Sequence, residues 1–161
     1  MITGGEPCLQ PDLRDFIKEI KALGFLVKLD TNGSYPDVLA RLLKEKLLDY
    51  VAMDIKAPFE KYETIVRVPI NEEKIRKSIE TVINSGVGYE FRTTVVKEQL
   101  TFEDILKIGT TIKGAKKYYL QKFVPTKLLD ESLCKAQTYR DEEFLDVLQK
   151  LETSVKAVEF R

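Results

Sequence analysis

The chain has 161 residues, 43% of them hydrophobic, with 26 basic and 26 acidic side chains and a formal net charge of zero. That length suits one domain with a proper core, the composition excludes a disordered chain, and the even charge lacks the basic footprint of a nucleic-acid binder. No apolar run approaches the roughly 18 residues of a membrane span, and no signal peptide precedes the first motif, so the cytoplasm is the default setting.

The elements follow one another in a regular alternation. Met1–Thr3 reads as the remnant of a strand, running straight into Gly4-Gly5-Glu6-Pro7. From Pro11 to Leu23 the spacing places Leu13, Phe16, Ile17, Ile20 and Leu23 on one helical stripe, with Gly24 as the stop. Phe25–Asp30 predicts a strand, and Ser34, Pro36 and Asp37 open a helix over Val38, Leu39, Leu42 and Leu43. Tyr50–Ile55 predicts the next strand. Asn71 caps a helix that turns Ile75, Ile79, Val82 and Ile83 inward, followed by a strand over Tyr89–Val96. Thr101 and Asp104 have the spacing of a capping box for a helix through Ile112. A strand over Lys117–Phe123, a long loop from Val124 to Arg140, a helix over Asp141–Glu152 and a strand over Val155–Phe160 complete the series. Alternating strands and helices predict a parallel sheet wrapped by helices, in a single domain over residues 1–161. A loop as long as Val124–Arg140 is often functional.

In such folds ligands bind where strands end at their C-termini. The polar residues expected there are Gly4, Gly5 and Glu6 after the first strand and Asp30, Thr31, Asn32 and Gly33 after the second. Asp54 and Lys56 follow from the third strand, and Arg92 and Thr94 from the fourth. Each has a plain structural alternative. Gly4-Gly5 makes a tight turn, Asp30–Gly33 makes a turn with Ser34 as an N-cap, and Arg92 pairs with Glu90. Asp54 and Lys56 are harder to explain away, because charge in a buried strand is costly unless paired or functional. Together these residues suit a zwitterionic ligand, with acids for an ammonium and Lys and Arg for a carboxylate. There is no histidine, which removes the commonest general base and transition-metal ligand. Cys8 and Cys134 stand far apart, without the spacing of a disulfide framework or a metal set.

The segments ITGGEPCLQPDLRDFIKEIKALGFLVKLDTNG, LLDYVAMDIKAP and YEFRTTVV resemble the radical S-adenosylmethionine (SAM) activating enzymes. The likeness is nearest to the activases of anaerobic ribonucleoside-triphosphate reductase and of pyruvate formate-lyase. It implies a parallel-stranded partial (βα)6 barrel, here missing its first βα unit. It also implies an oxidoreductase in which a 4Fe-4S cluster and SAM generate a 5′-deoxyadenosyl radical that forms a glycyl radical on a partner enzyme. By the resemblance, Gly4, Gly5 and Glu6 bind the SAM amino group, and Asp30 and Thr31 lie near its amino acid and ribose. Lys56 reaches the carboxylate, and Arg92 and Thr94 make later contacts. Asp30 and Asp54 match ligands of a monovalent cation beside SAM. A glycyl radical enzyme and a reductant such as flavodoxin or ferredoxin are the implied partners.

The family's CxxxCxxC segment is absent, so no cluster ligands are expected from this chain; Cys8 lies on the wrong side of Glu6 and cannot replace three thiolates. The cluster is expected only if a preceding segment supplies it, and the chain reads as the C-terminal portion of such an enzyme, inactive alone. Two alternatives stand beside this reading. One is a non-catalytic, partner-binding module, for instance a homodimer through an exposed sheet edge. The other is an aldolase-like barrel with Lys56 as Schiff-base nucleophile.

Overall fold

The computed structural model describes residues 1–125 and 131–161; part of the Val124–Arg140 loop therefore lies outside the described residues. The chain forms two compact units, Met1–Asp54 with Pro69–Phe91, and Ile55–Val68 with Arg92–Arg161. Five strands are hydrogen-bonded in sequence order, β1 (Lys28–Thr31), β2 (Tyr50–Asp54), β3 (Gly88–Val95), β4 (Tyr118–Lys122) and β5 (Val158–Phe160). Helices stand between them, as the alternation of periods predicts.

In the first unit β1 and β2 run parallel, pairing Leu29 with Val51 and Thr31 with Met53. Strand side chains alternate between faces. Leu29, Val51 and Met53 on one face are fully buried, whereas Lys28, Asp30, Tyr50 and Asp54 on the other are only partly covered. Helix α4 (Glu72–Ile83) lies on the buried face, where its Ser78 stands with Met53 beside Gly33, and α1 (Leu13–Ala22), α2 (Pro36–Lys44) and α4 bury Ile17, Leu39, Leu42, Ile75, Ile79 and Val82. Asn71 caps α4 as expected, its side chain accepting from Lys74 N at 3.0 Å. At the opposite edge Ile2 makes a single parallel bridge to Leu29, with Ile2 N donating to Lys28 O at 2.8 Å and Asp30 N to Ile2 O at 2.9 Å. The expected remnant strand is thus one residue of pairing.

The predicted stripe on α1 is narrower than its spacing suggests. Leu13 and Ile17 are buried, but Phe16 is 51% and Leu23 74% exposed. Phe25 and Leu26 are exposed as well, because the chain joins the sheet only at Lys28.

In the second unit β4 and β5 are parallel, pairing Tyr118 with Val158 and Leu120 with Phe160. Helix α5 (Phe102–Thr111) begins with the expected capping box: Asp104 N donates to Thr101 Oγ1 at 3.2 Å, and Thr101 N to Asp104 Oδ2 at 2.8 Å. It packs so closely on α6 (Asp141–Leu151) that a Cβ on Gly109 would stand 2.3 Å from Leu151 Cδ2. Helix α3 (Phe59–Val66) has no counterpart in the sequence reading. The described end of the long loop is a strap. Gln137 O accepts from Lys97 N at 2.8 Å, Tyr139 donates to Leu100 O at 3.0 Å, and the Tyr139 ring lies 4.1 Å from that of Phe102.

Candidate functional site

The first unit carries the Gly4-Gly5-Glu6 corner and the Thr31–Ser34 turn, and Glu6 joins them. Glu6 is 8% exposed. Its Oε1 accepts from Cys8 N at 3.0 Å and from Thr31 Oγ1 at 2.9 Å, and its Oε2 accepts from Asn32 N at 2.6 Å. A carboxylate has about four lone-pair positions, so roughly one is left for a further donor. The bond from Cys8 N also caps the short 3-10 turn Pro7–Leu9. Sequence reading treated Glu6 as an acceptor for a ligand; its second task, buckling two loops together, had no sequence signal.

The Thr31–Ser34 turn is held from several sides. Thr31 Oγ1 accepts from Gly33 N at 3.1 Å, and Asn32 Oδ1 accepts from Ser34 N at 2.9 Å. That second bond is an Asx turn, and it replaces the expected N-cap at Ser34: α2 is capped at Tyr35, without a side-chain bond. Ser78, buried on α4, donates to Gly33 O at 2.7 Å. Gly33 itself has φ +77°, and a Cβ there would stand 2.1 Å from Met53 Cε. Neither Ser78 nor Met53 was singled out from the sequence, because each lies in an element remote from the turn.

Gly4 has φ +146°, a region that disfavours side chains. A Cβ on Gly5 would meet nothing within 4 Å. The chain's own packing therefore gives no reason for glycine at that position, and the site is open to close approach by another molecule. Beside it lies a groove of about 600 Å³ whose apolar lining includes Ile2, Leu9, Leu13 and Phe16.

Asp30 and Thr31, expected together, point to opposite faces. Thr31 shares the helix-covered face with Met53, while Asp30 lies with Lys28, Tyr50 and Asp54 on the other. On that face Asp30 Oδ1 is 4.0 Å from Lys28 Nζ. The buried Glu90 takes Lys28 Nζ at 3.5 Å and the Tyr50 hydroxyl at 3.1 Å.

In the second unit Lys56 is half-buried in the connection before α3, where its N–H donates to the Tyr62 hydroxyl at 3.2 Å. Arg92 and Thr94 share one face of β3, with Thr94 exposed. The residue between them, Thr93, is 1% exposed; it donates to Ile55 O at 2.7 Å and accepts from the fully buried Tyr118 hydroxyl at 2.8 Å. Burial raises the Tyr118 phenol's pKa. Tyr62 and Tyr118 therefore serve the scaffold.

The cysteines do not fit an iron–sulfur cluster. There are two in the chain, and Cys8 is 4% exposed with its thiol pushed up to about 12, chiefly by burial and further by the Glu6 charge. Cys134 is exposed on the second unit. Among the described residues no group of three or more acidic, Cys or His side chains is placed to hold a metal ion, and no helix is long and apolar enough to cross a membrane.

Comparison with known proteins matches residues 1–112 to the Radical SAM superfamily. A protein of Methanocaldococcus jannaschii named as a glycyl-radical enzyme activating enzyme is 38% identical over 152 residues, covering 91% of this chain and 63% of that protein. A SAM-dependent tRNA 4-demethylwyosine synthase of Pyrococcus abyssi is 29% identical over 156 residues, covering 91% of this chain and 45% of the synthase. The chain thus spans less than two thirds of either relative. In structure it is similar to a domain of pyruvate-formate lyase-activating enzyme from Bacteroides vulgatus, with a TM-score of 0.69 at 19% identity over 97% of this chain and 96% of that one.

Proposed function

This chain belongs to the radical SAM superfamily, and on that premise we propose that it is the SAM-recognition portion of an activase that forms a glycyl radical on a partner enzyme. The observation that carries the proposal is the Glu6 corner. A buried carboxylate is locked by three donors, has room for about one more, and sits beside a glycine that the chain's own packing does not require. An α-ammonium fits that vacancy as a charge-assisted donor.

In this reading Gly4, Gly5 and Glu6 hold the amino group of SAM, and Lys56 and Arg92 supply the positive charge for its carboxylate. Thr94 adds a hydroxyl toward the ribose or carboxylate. Asp30 and Asp54 are hard oxygen donors suited to a monovalent cation. When bound, SAM would supply the hydrogen-abstracting chemistry of the family. This chain's residues bind and orient it. Since two cysteines cannot supply three cluster thiolates, the proposal places the cluster ligands in polypeptide outside these 161 residues, with a flavodoxin- or ferredoxin-like reductant. The name of the M. jannaschii relative supports a glycyl radical enzyme as the protein acted upon. The apolar groove beside Ile2 supports association with a second polypeptide, either that segment or another copy of this chain. Size-exclusion chromatography tests the second choice: a monomer at all loadings removes it.

Equilibrium dialysis with labelled SAM tests the site. Saturable binding at or below millimolar SAM is expected, weakened about tenfold or more in Glu6→Gln through loss of a charge-assisted bond. Absence of saturable binding, or equal binding by the variant, refutes it.

A further inference from the structure

Thr31 was expected beside SAM, yet the structure gives its hydroxyl other work. Thr31 pairs with Met53 across the strands, so its side chain lies on the helix-covered face, opposite Asp30. It is 4% exposed. A hydroxyl has one proton, and this one is directed at Glu6 Oε1 at 2.9 Å. One lone pair receives Gly33 N at 3.1 Å, and the Cys8 sulfur lies 4.0 Å away. The Thr31 hydroxyl is therefore the only side-chain donor shown on the Glu6 carboxylate among the described residues, the other two donors being the backbone amides of Cys8 and Asn32. Each amide holds one oxygen, Cys8 N on Oε1 and Asn32 N on Oε2, and the hydroxyl adds a second bond that ties Oε1 to the end of β1.

We propose that Thr31 is a positioning residue that acts through Glu6, orienting the carboxylate toward the ligand's ammonium, and does not itself touch the ligand. The inference rests on the SAM-site reading, and the test keeps the two apart. Thr31→Val removes the hydroxyl at nearly constant shape, and Thr31→Ser keeps it. Two readouts are taken on the full chain, with circular dichroism showing that each variant folds.

The first readout is the amide proton shifts of Cys8 and Asn32, which report the charged acceptor without any ligand. They are expected to move upfield in Thr31→Val and to stay in place in Thr31→Ser. The second is SAM affinity by dialysis, expected to fall about tenfold in Thr31→Val and to be recovered in Thr31→Ser. Unchanged amide shifts in Thr31→Val overturn the inference, as does Thr31→Val binding SAM like the wild type. Equal weakening in both variants also overturns it, since Thr31→Ser keeps the hydroxyl and its loss could then not be the cause. A wild-type chain that fails to bind SAM refutes the site reading instead, and the amide shifts still decide whether Thr31 orients Glu6.

Discussion

Replacing Gly33 with alanine strikes the point where the site's turn meets the core. Two costs add. The residue sits at φ +77°, where an L side chain costs roughly 1–2 kcal/mol. The new Cβ would lie 2.1 Å from Met53 Cε and 3.3 Å from Ser78 Cβ, so the methionine end must leave its place, an overpacking cost of about 1–3 kcal/mol. The smaller entropy of the unfolded alanine chain returns roughly 0.5–1 kcal/mol. The net expectation is a loss of about 3 kcal/mol. At roughly 2–4 °C per kcal/mol for a chain of this size, Tm falls by about 6–12 °C. Urea unfolding followed by circular dichroism supplies the free energy, and a thermal scan supplies Tm. The same change in a Met53→Ala background separates the two costs, since only the backbone cost of roughly 1–2 kcal/mol then remains. A loss below about 1 kcal/mol in the single variant would refute the packing argument, and so would an unchanged loss in the Met53→Ala background.

Gly109→Ala in α5 tests the other close contact. Alanine is the better helix former by roughly 0.5–1 kcal/mol, but a Cβ 2.3 Å from Leu151 Cδ2 forces α5 and α6 apart, and a net loss of about 1–2 kcal/mol is expected in urea unfolding. Stabilisation would show that Leu151 simply swings aside. At alkaline pH the neutral Tyr118 phenol supplies stability. Its folded pKa is raised above the unfolded value of about 10, so the contribution is complete below that pH and is lost as pH rises beyond it. Tyr118→Phe should therefore flatten the alkaline fall in urea midpoint, and a variant whose midpoint falls as steeply as the wild type refutes the assignment. At acid pH the sign reverses for Asp104. Burial opposes its ionisation, but Lys61 Nζ at 2.6 Å and the Thr101 amide and hydroxyl outweigh this and lower its pKa. Its contribution is present above the unfolded pKa near 3.9 and fades as pH falls through the lower folded value. Asp104→Asn should reduce the acid loss of stability, measured as urea midpoint from about pH 5 to 2; an identical profile would exclude it.

The alternation of strands and helices was legible because it depends on local periods, and the two predicted caps that formed, at Asn71 and Thr101, use residues within one turn of the bond they make. Helix α3 escaped because its local signals are weak. It has eight residues, begins at Pro58 without a side-chain cap, and buries fully only Tyr62. The α1 stripe was overread for a related reason. Periodicity says which residues share a face, not how much of that face meets a partner, and Phe16 lies where the covering stops.

The site shows the deeper boundary of sequence reading. That Glu6, Asp30 and Thr31 stand at strand ends follows from the order of elements, and the structure keeps them there. Neighbours in a strand face opposite ways, so Asp30 and Thr31 lie on opposite sides of β1, but which of them meets the helix layer depends on a single step of strand register. The consequence is a division of labour between neighbours. Asp30 is left on the face with Lys28 and Asp54, where polar chemistry can gather. Thr31 is turned into the helix layer, where its hydroxyl can only brace what lies behind the face, and what it braces is Glu6. The turn is braced again by Ser78, from a helix 45 residues along the chain, and by Met53 filling the space that Gly33 leaves. A ligand's ammonium would thus meet a carboxylate whose freedom has already been removed by folding, so little ordering cost remains at binding.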